Sequence, residues 1–165
     1  MKKKRDKPRI IGEAKSVRLN SSGWYLKILG TWMDKKMHER LVPLGLSLNQ
    51  FIIIMTLLER DGLTQIDIGQ KTMLPAYAMT RNIDKLESLG YVKRKRHESS
   101  RRSYRIVLTE EGRDLAPTLY RATKSVNELF LSQLEEDQKT EFQKILRILI
   151  RELGCNPEIQ LPLIE

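Results

Sequence analysis

Apolar residues return every four positions after Ser21 and Ser22. Trp24, Ile28 and Trp32 form one row and Tyr25, Leu29 and Met33 a second, with Met37 and Leu41 beyond. Rows at this spacing share one side of a helix, so the pattern predicts an amphipathic helix with a wide apolar face. "PLG", Pro43 to Gly45, breaks it. Ser47 and Gln50 then stand at the spacing of a capping box, in which each side chain bonds the other residue's free backbone N–H. Leu46 and Phe51 occupy the staple positions, and a strongly apolar helix follows to about Arg60. "RDG", Arg60 to Gly62, reads as a turn. Thr64 and Asp67 open a short helix that ends near Thr72. Another helix runs from about Pro75 to Leu89, where Gly90 suits its C-terminal cap.

From Tyr104 the period changes to two. Tyr104, Ile106 and Leu108 alternate with Arg105 and Val107, as in a strand, and Tyr91 to Arg96 can pair with it. The connection His97 to Ser103 is polar and lacks Gly and Pro, which predicts a long flexible hairpin loop. Thr109 caps a new helix, with Glu110 and Glu111 at its positive end. That helix is expected to continue to about Leu134 and to bend at Pro117. A last helix, near Asp137 to Leu153, carries Phe142, Ile145, Leu146 and Leu149. Met1 to Asn20 is polar, basic and patternless and reads as a flexible arm, and the tail "CNPEIQLPLIE" reads as irregular.

Two short helices joined by a tight turn and followed by a basic β-hairpin make a winged helix-turn-helix. The fold class is therefore mainly α with a small β-hairpin wing. In such a domain the second helix of the pair leads with its N-terminal half into the major groove, and the wing reaches the backbone or the minor groove. On the wheel of Ala76 to Leu89, Met79, Ile83 and Leu86 fall on the core side. Tyr77, Arg81, Asp84, Lys85 and Ser88 point the other way, flanked by Ala78 and Thr80. Tyr77, Ala78, Thr80 and Arg81 are the candidates for base edges and Lys85 for a phosphate. Asp84 is discordant there and is expected to pair with a neighbouring basic residue.

Charge sharpens this picture. The net charge is +9, and Met1 to Arg9 contributes +5 while Arg81 to Arg105 contributes +6, leaving −2 for the remainder. Positive charge confined to two short stretches suits a polyanion, most simply nucleic acid. The wing candidates are Lys93, Arg94, Lys95, Arg96, Arg101, Arg102 and Arg105. No apolar run has the length of a membrane span, no apolar stretch follows the basic N-terminus, and Cys155 is the single cysteine. A cytoplasmic setting is expected, with no intrachain disulfide. His38, His97 and one cysteine give no metal-site spacing, and no cofactor or catalytic signature is present.

Leu63 to Gly112 resembles the multiple-antibiotic-resistance regulator (MarR) family of bacterial transcription factors. The resemblance is carried by "LTQ", "MTRNIDKLESLGYV", "RRS" and "LTEEG" at matching separations, with "PLGLSLNQFIIIMTLLE" like the family's second helix. It spans roughly Gly23 to Leu153. It implies a homodimer on a pseudo-palindromic operator, usually a repressor, released by a small phenolic or aromatic acid. It places base contacts on Tyr77, Thr80 and Arg81, and wing-tip arginines on Arg101 and Arg102. Ser100 stands where the family usually has an Asp, and "KTM" where a Leu-Gly pair is usual. No cysteine lies near the first helix, which disfavours the family's redox route.

The division expected from these readings is a basic arm over 1–20, a dimerisation helix over 21–45, a DNA-binding lobe over 46–110, and dimerisation helices and tail over 111–165. Trp24, Trp32, Met33 and Met55 are candidate walls of an effector pocket, although core packing, in the dimer core for the tryptophans, is the favoured reading of all four. Two other readings fit the charge: a nonspecific or architectural DNA-binding protein, and a basic module that meets an acidic protein.

Overall fold

In the computed structural model the described backbone covers residues 7–97 and 100–155, with side chains described over 12–96 and 104–155. The chain divides into two compact units, residues 1–35 and 36–165.

The first unit holds α1 (Lys7–Leu19) and most of α2 (Ser22–Leu41). The stretch expected to be a flexible arm is thus helical from Lys7 onward. The apolar periodicity used to find helices does not mark α1, whose described side chains from Gly12 to Asn20 are all exposed. Local bonds close it instead. The Asn20 amide donates to the Ser16 carbonyl at 2.9 Å, and the Tyr25 hydroxyl donates to the Leu19 carbonyl. Ser21 starts α2 by accepting the Trp24 N–H at 3.2 Å.

The second unit is built around α3 (Leu48–Glu59), whose Ile53, Ile54 and Leu57 have no exposed surface. The expected capping box is present: Ser47 N–H donates to Gln50 Oε1 at 2.9 Å and Gln50 N–H to Ser47 Oγ at 3.3 Å. A two-residue strand β1 (Leu63–Thr64) precedes α4 (Gln65–Thr72), which opens on the second expected box between Thr64 and Asp67. Hydrogen bonds from the Thr64 side chain and backbone hold the Asp67 carboxyl below the usual carboxylate range. Then come α5 (Ala76–Ser88), β2 (Val92–His97) and β3 (Ser100–Leu108). The sheet order is β1-β3-β2, antiparallel throughout. Val92, Ile106 and Leu108 carry its inner face into the core beside Ile68, Ile83 and Leu86.

Two expectations about this unit need correction. The hairpin is longer than expected: strand structure continues to His97 and resumes at Ser100, so only Glu98 and Ser99 separate the strands, and they lie outside the described residues. The register shifts between Arg96, opposite Tyr104, and His97, opposite Ser100, so β3 is irregular over 101–103. The helix after Thr109 is not one bent rod. α6 (Glu110–Asp114) stops at Leu115, and α7 (Ala116–Leu131) starts afresh with Pro117 in its first turn, where a missing N–H costs no bond. α8 (Glu136–Glu152) follows, and Phe142 meets Phe130 of α7 with ring centroids 6.0 Å apart. The tail beyond Cys155 lies outside the described residues.

The junction of wing and α6 is tight. Thr109 N–H donates to the Tyr91 carbonyl at 3.1 Å, Thr109 Oγ1 donates to the Gly90 carbonyl at 2.6 Å, and Gly112 N–H donates to Thr109 Oγ1 at 3.0 Å. Asp61 ties the end of α3 to the same place: its Oδ1 accepts the Leu108 N–H at 2.9 Å, and its Oδ2 pairs with Arg113.

Met73 closes α4 with φ 53° and ψ 17°, the left-handed conformation that a glycine adopts freely. The departure "KTM" therefore keeps the backbone of a glycine turn and strains a side-chain-bearing residue in it. Met73→Gly is expected to raise stability by about 0.5–1 kcal/mol. Comparison of urea midpoints checks this; a lower midpoint would show that Met73 packing outweighs the strain.

Candidate nucleic-acid interface

α5 has the division of faces its sequence predicts. Met79, Ile83 and Leu86 are buried, while Tyr77 is 80% exposed and Thr80, Arg81, Asp84, Lys85 and Ser88 are exposed. Ala78 is half-buried. Thr80 Oγ1 donates to the Ala76 carbonyl at 3.2 Å, which leaves the hydroxyl oxygen free to accept a further bond. Pro75 precedes the helix and supplies no side-chain cap. The outward surface of its N-terminal half is therefore Tyr77, Thr80 and Arg81, with Lys85 one turn further on.

The basic residues of the wing divide into two groups. Lys93, Lys95 and Arg96 are exposed. Arg94 is half-buried and turned back on α5, where its guanidinium pairs with both Asp84 and Glu87. The Arg94 backbone N–H also donates to Glu87 Oε1 at 3.0 Å. Burial works against the charge of Arg94, but the bonds to Asp84 and Glu87 outweigh it and hold the group more firmly protonated. The expected partner of Asp84 is thus found, and Arg94, taken from the sequence as a phosphate contact, is occupied within the fold. Arg105 is exposed but also bonded inward, its Nη1 donating to the Gly62 carbonyl at 3.0 Å. The side chains of Arg101 and Arg102 lie outside the described residues.

Glu87, Asp61 and Arg113 were not picked out by sequence reasoning. Each acts on a residue distant in sequence, so no local spacing marks it. Glu87, three residues after Asp84 on the helix before the wing, was the one legible hint.

A cavity of about 850 Å³ opens between α3, α7 and α8. Met55, Tyr120 and Leu131 line it with Asn127, Lys124 and Lys139. Lys139 pairs with Glu136 at 2.6 Å and Lys124 lies 3.7 Å from Glu128. Of the four sequence candidates for an effector pocket, Met55 lies here, whereas Trp24, Trp32 and Met33 belong to the other compact unit.

Residues 44–103 match the family model described as "MarR family". The HTH-type transcriptional repressor Rv2887 of Mycobacterium tuberculosis is 30% identical over 127 residues, covering 77% of this chain and 91% of that protein. The chain belongs to the MarR family. A MarR transcriptional regulator from Methanosarcina mazei is 27% identical, with a TM-score of 0.72 over 79% of this chain and 93% of that one. Rv2887 in complex with salicylic acid is 29% identical in structure alignment, with a TM-score of 0.65 over 78% and 96% of the two chains. A cysteine-to-serine mutant of Escherichia coli MarR complexed with operator DNA, at 18% identity, has a TM-score of 0.71 over 81% and 96% and shares the fold. These MarR-family relatives are regulators of transcription, a non-enzymatic role. Among the described residues, no single helix is long and apolar enough to cross a membrane.

Proposed function

We propose that the chain is a homodimeric repressor that binds a pseudo-palindromic operator in the cytoplasm and is released by a small aromatic acid. The observation that carries the reading is the surface of α5: Met79, Ile83 and Leu86 seat it in the core while Tyr77, Thr80 and Arg81 stand outward. Arg81 offers two parallel donors to a guanine edge, and Tyr77 and Thr80 supply shorter-range contacts. Lys85, Lys93, Lys95 and Arg96 meet phosphates, and Arg101 and Arg102 probe the minor groove. Each phosphate contact adds about −0.9 to the slope of log affinity against log salt.

Apolar surface supports a second copy of the chain as partner. α8 buries none of its residues and exposes Ile145, Ile148, Leu149 and Ile150. α2 separately exposes Trp24, Tyr25, Leu26, Ile28 and Leu29. Faces of this kind are covered in stable oligomers. The cavity beside Met55 is large enough for a small aromatic acid, and Lys124 and Lys139 line it as ion pairs with Glu128 and Glu136, so an acid would have to compete with those carboxylates for the lysines.

The test is selection of bound duplexes from a random pool, with and without salicylate. A symmetric consensus that weakens with salicylate supports the whole reading. Equal binding of all duplexes favours an architectural DNA-binding protein, and no binding at low salt favours an acidic protein partner. On the selected duplex, Arg81→Ala is expected to cost about 1–3 kcal/mol and to relax preference at one base pair per half-site. Unchanged affinity for both selected and random duplexes would remove Arg81 from base recognition.

A further inference from the structure

We propose that Tyr77, with Met73 four residues before it, forms an apolar leading edge that reads the 5-methyl groups of thymine. The proposal rests on the DNA-binding reading above and names a base chemistry that Arg81 does not cover.

No residue from Thr72 to Thr80 carries a charge, in a chain where 31% do. Part of the stretch nevertheless lies at the surface. Tyr77 is 80% exposed, more than any other large apolar or aromatic side chain described, and Met73 is 55% exposed. Pro75 and Ala76 between them are exposed too, while Leu74 is buried and holds the joint to the core. Tyr77 also heads a row. Arg81 and Lys85 follow it at spacing four and are exposed, so the three side chains share one side of α5. That side runs from apolar at its N-terminal tip to cationic further along.

The N-terminal residues of a recognition helix are the ones that reach base edges. On those edges the major groove presents donors, acceptors and one apolar group, the thymine methyl. Tyr77 stands at the N-terminal tip, where its ring covers a methyl while Arg81, one turn on, meets a guanine. Met73 carries a second mark. It holds the left-handed conformation at the end of α4 that a glycine would adopt without strain. A side chain kept there at a cost in stability fits a contact made outside the fold, and a flexible thioether adapts to an apolar partner.

The experiment uses the full chain and the selected duplex, remade with deoxyuridine for thymidine at one position, in one half-site or in both. The change removes a methyl and keeps every base-pair hydrogen bond. At the position under Tyr77, affinity is expected to fall about 4-fold with one half-site changed and about 15-fold with both, the factor that burial of one methyl group gives. Tyr77→Phe should keep this loss, since the ring remains, and so should Arg81→Ala. Tyr77→Ala should bind the thymine and uracil duplexes equally at that position, and Met73→Gly should do so at an adjoining thymine. Thermal midpoints should not fall, because both side chains are exposed. A consensus without thymine overturns the proposal, as does equal binding of thymine and uracil duplexes by the parent at every position. So does a uracil loss that survives both Tyr77→Ala and Met73→Gly, or one that Tyr77→Phe abolishes, which would give the role to the hydroxyl. If the parent binds no duplex at low salt, the DNA-binding reading itself fails; selective binding without a uracil effect fails this proposal alone.

Discussion

Gly112→Ala is expected to unfold the wing junction and to cost more than about 3 kcal/mol of stability, enough to leave little folded protein at 37 °C. A β-carbon built at Gly112 would lie 2.1 Å from the Tyr91 carbonyl oxygen and 3.2 Å from Leu108 Cδ2. The oxygen is backbone and cannot rotate away. It also accepts the Thr109 N–H, so moving it breaks the bond that anchors Thr109, the capping residue of α6. Relief must come from shifting β2 and α6 apart, which would open the core at Val92 and Leu108. Urea denaturation with a Gly12→Ala control measures this. Gly12 has nothing within 4 Å of its added methyl and should gain up to about 1 kcal/mol from helix propensity. A Gly112→Ala protein as stable as the parent would mean that the helix slides at no cost.

Arg94→Ala separates two roles that the sequence leaves merged. A residue that only touches phosphate would change the salt slope by about 0.9 and leave stability alone. The ion pairs to Asp84 and Glu87 give a different expectation: stability falls by about 2–3 kcal/mol, because charge-assisted bonds to a half-buried group are lost. Two carboxylates, previously balanced, would then stand beside the face of α5 proposed to meet DNA, so affinity for every duplex should also drop. The decisive comparison places Arg94→Ala in an Asp84→Asn, Glu87→Gln background. There the substitution should cost much less stability than it does alone. Full additivity would show that Arg94 acts independently of the two acids.

What could be read from sequence follows the range of each interaction. Both capping boxes, Ser47 with Gln50 and Thr64 with Asp67, lie within four residues, and both were legible. So were the buried rows of α3 and α5, since a period of 3.6 is written directly in residue order. β1 was not. It has two residues and exists only through pairing of Leu63 with Ile106 and Thr64 with Arg105. α1 escaped for the opposite reason: its helix is local, but its few apolar residues stand among many charged ones. At the candidate site the exposed face of α5 was legible down to single residues. The inward turn of Arg94 was not, because basic residues in a strand look alike until an acidic neighbour on another element distinguishes them. Met55 was legible as an adaptable side chain, but the cavity beside it is assembled from three helices.

The register shift in the wing has a consequence for descent. Below it, five rungs from Val92 opposite Leu108 to Arg96 opposite Tyr104 keep an unbroken ladder. Those rungs fix Val92, Ile106 and Leu108 in the core, and the irregular stretch above them touches none of that register. Insertions or deletions at the tip can therefore accumulate without a folding penalty passing down the ladder. Wing length becomes a trait that lineages can vary independently of α5, so related proteins could keep one exposed helix face and diverge in how far the hairpin extends beside it.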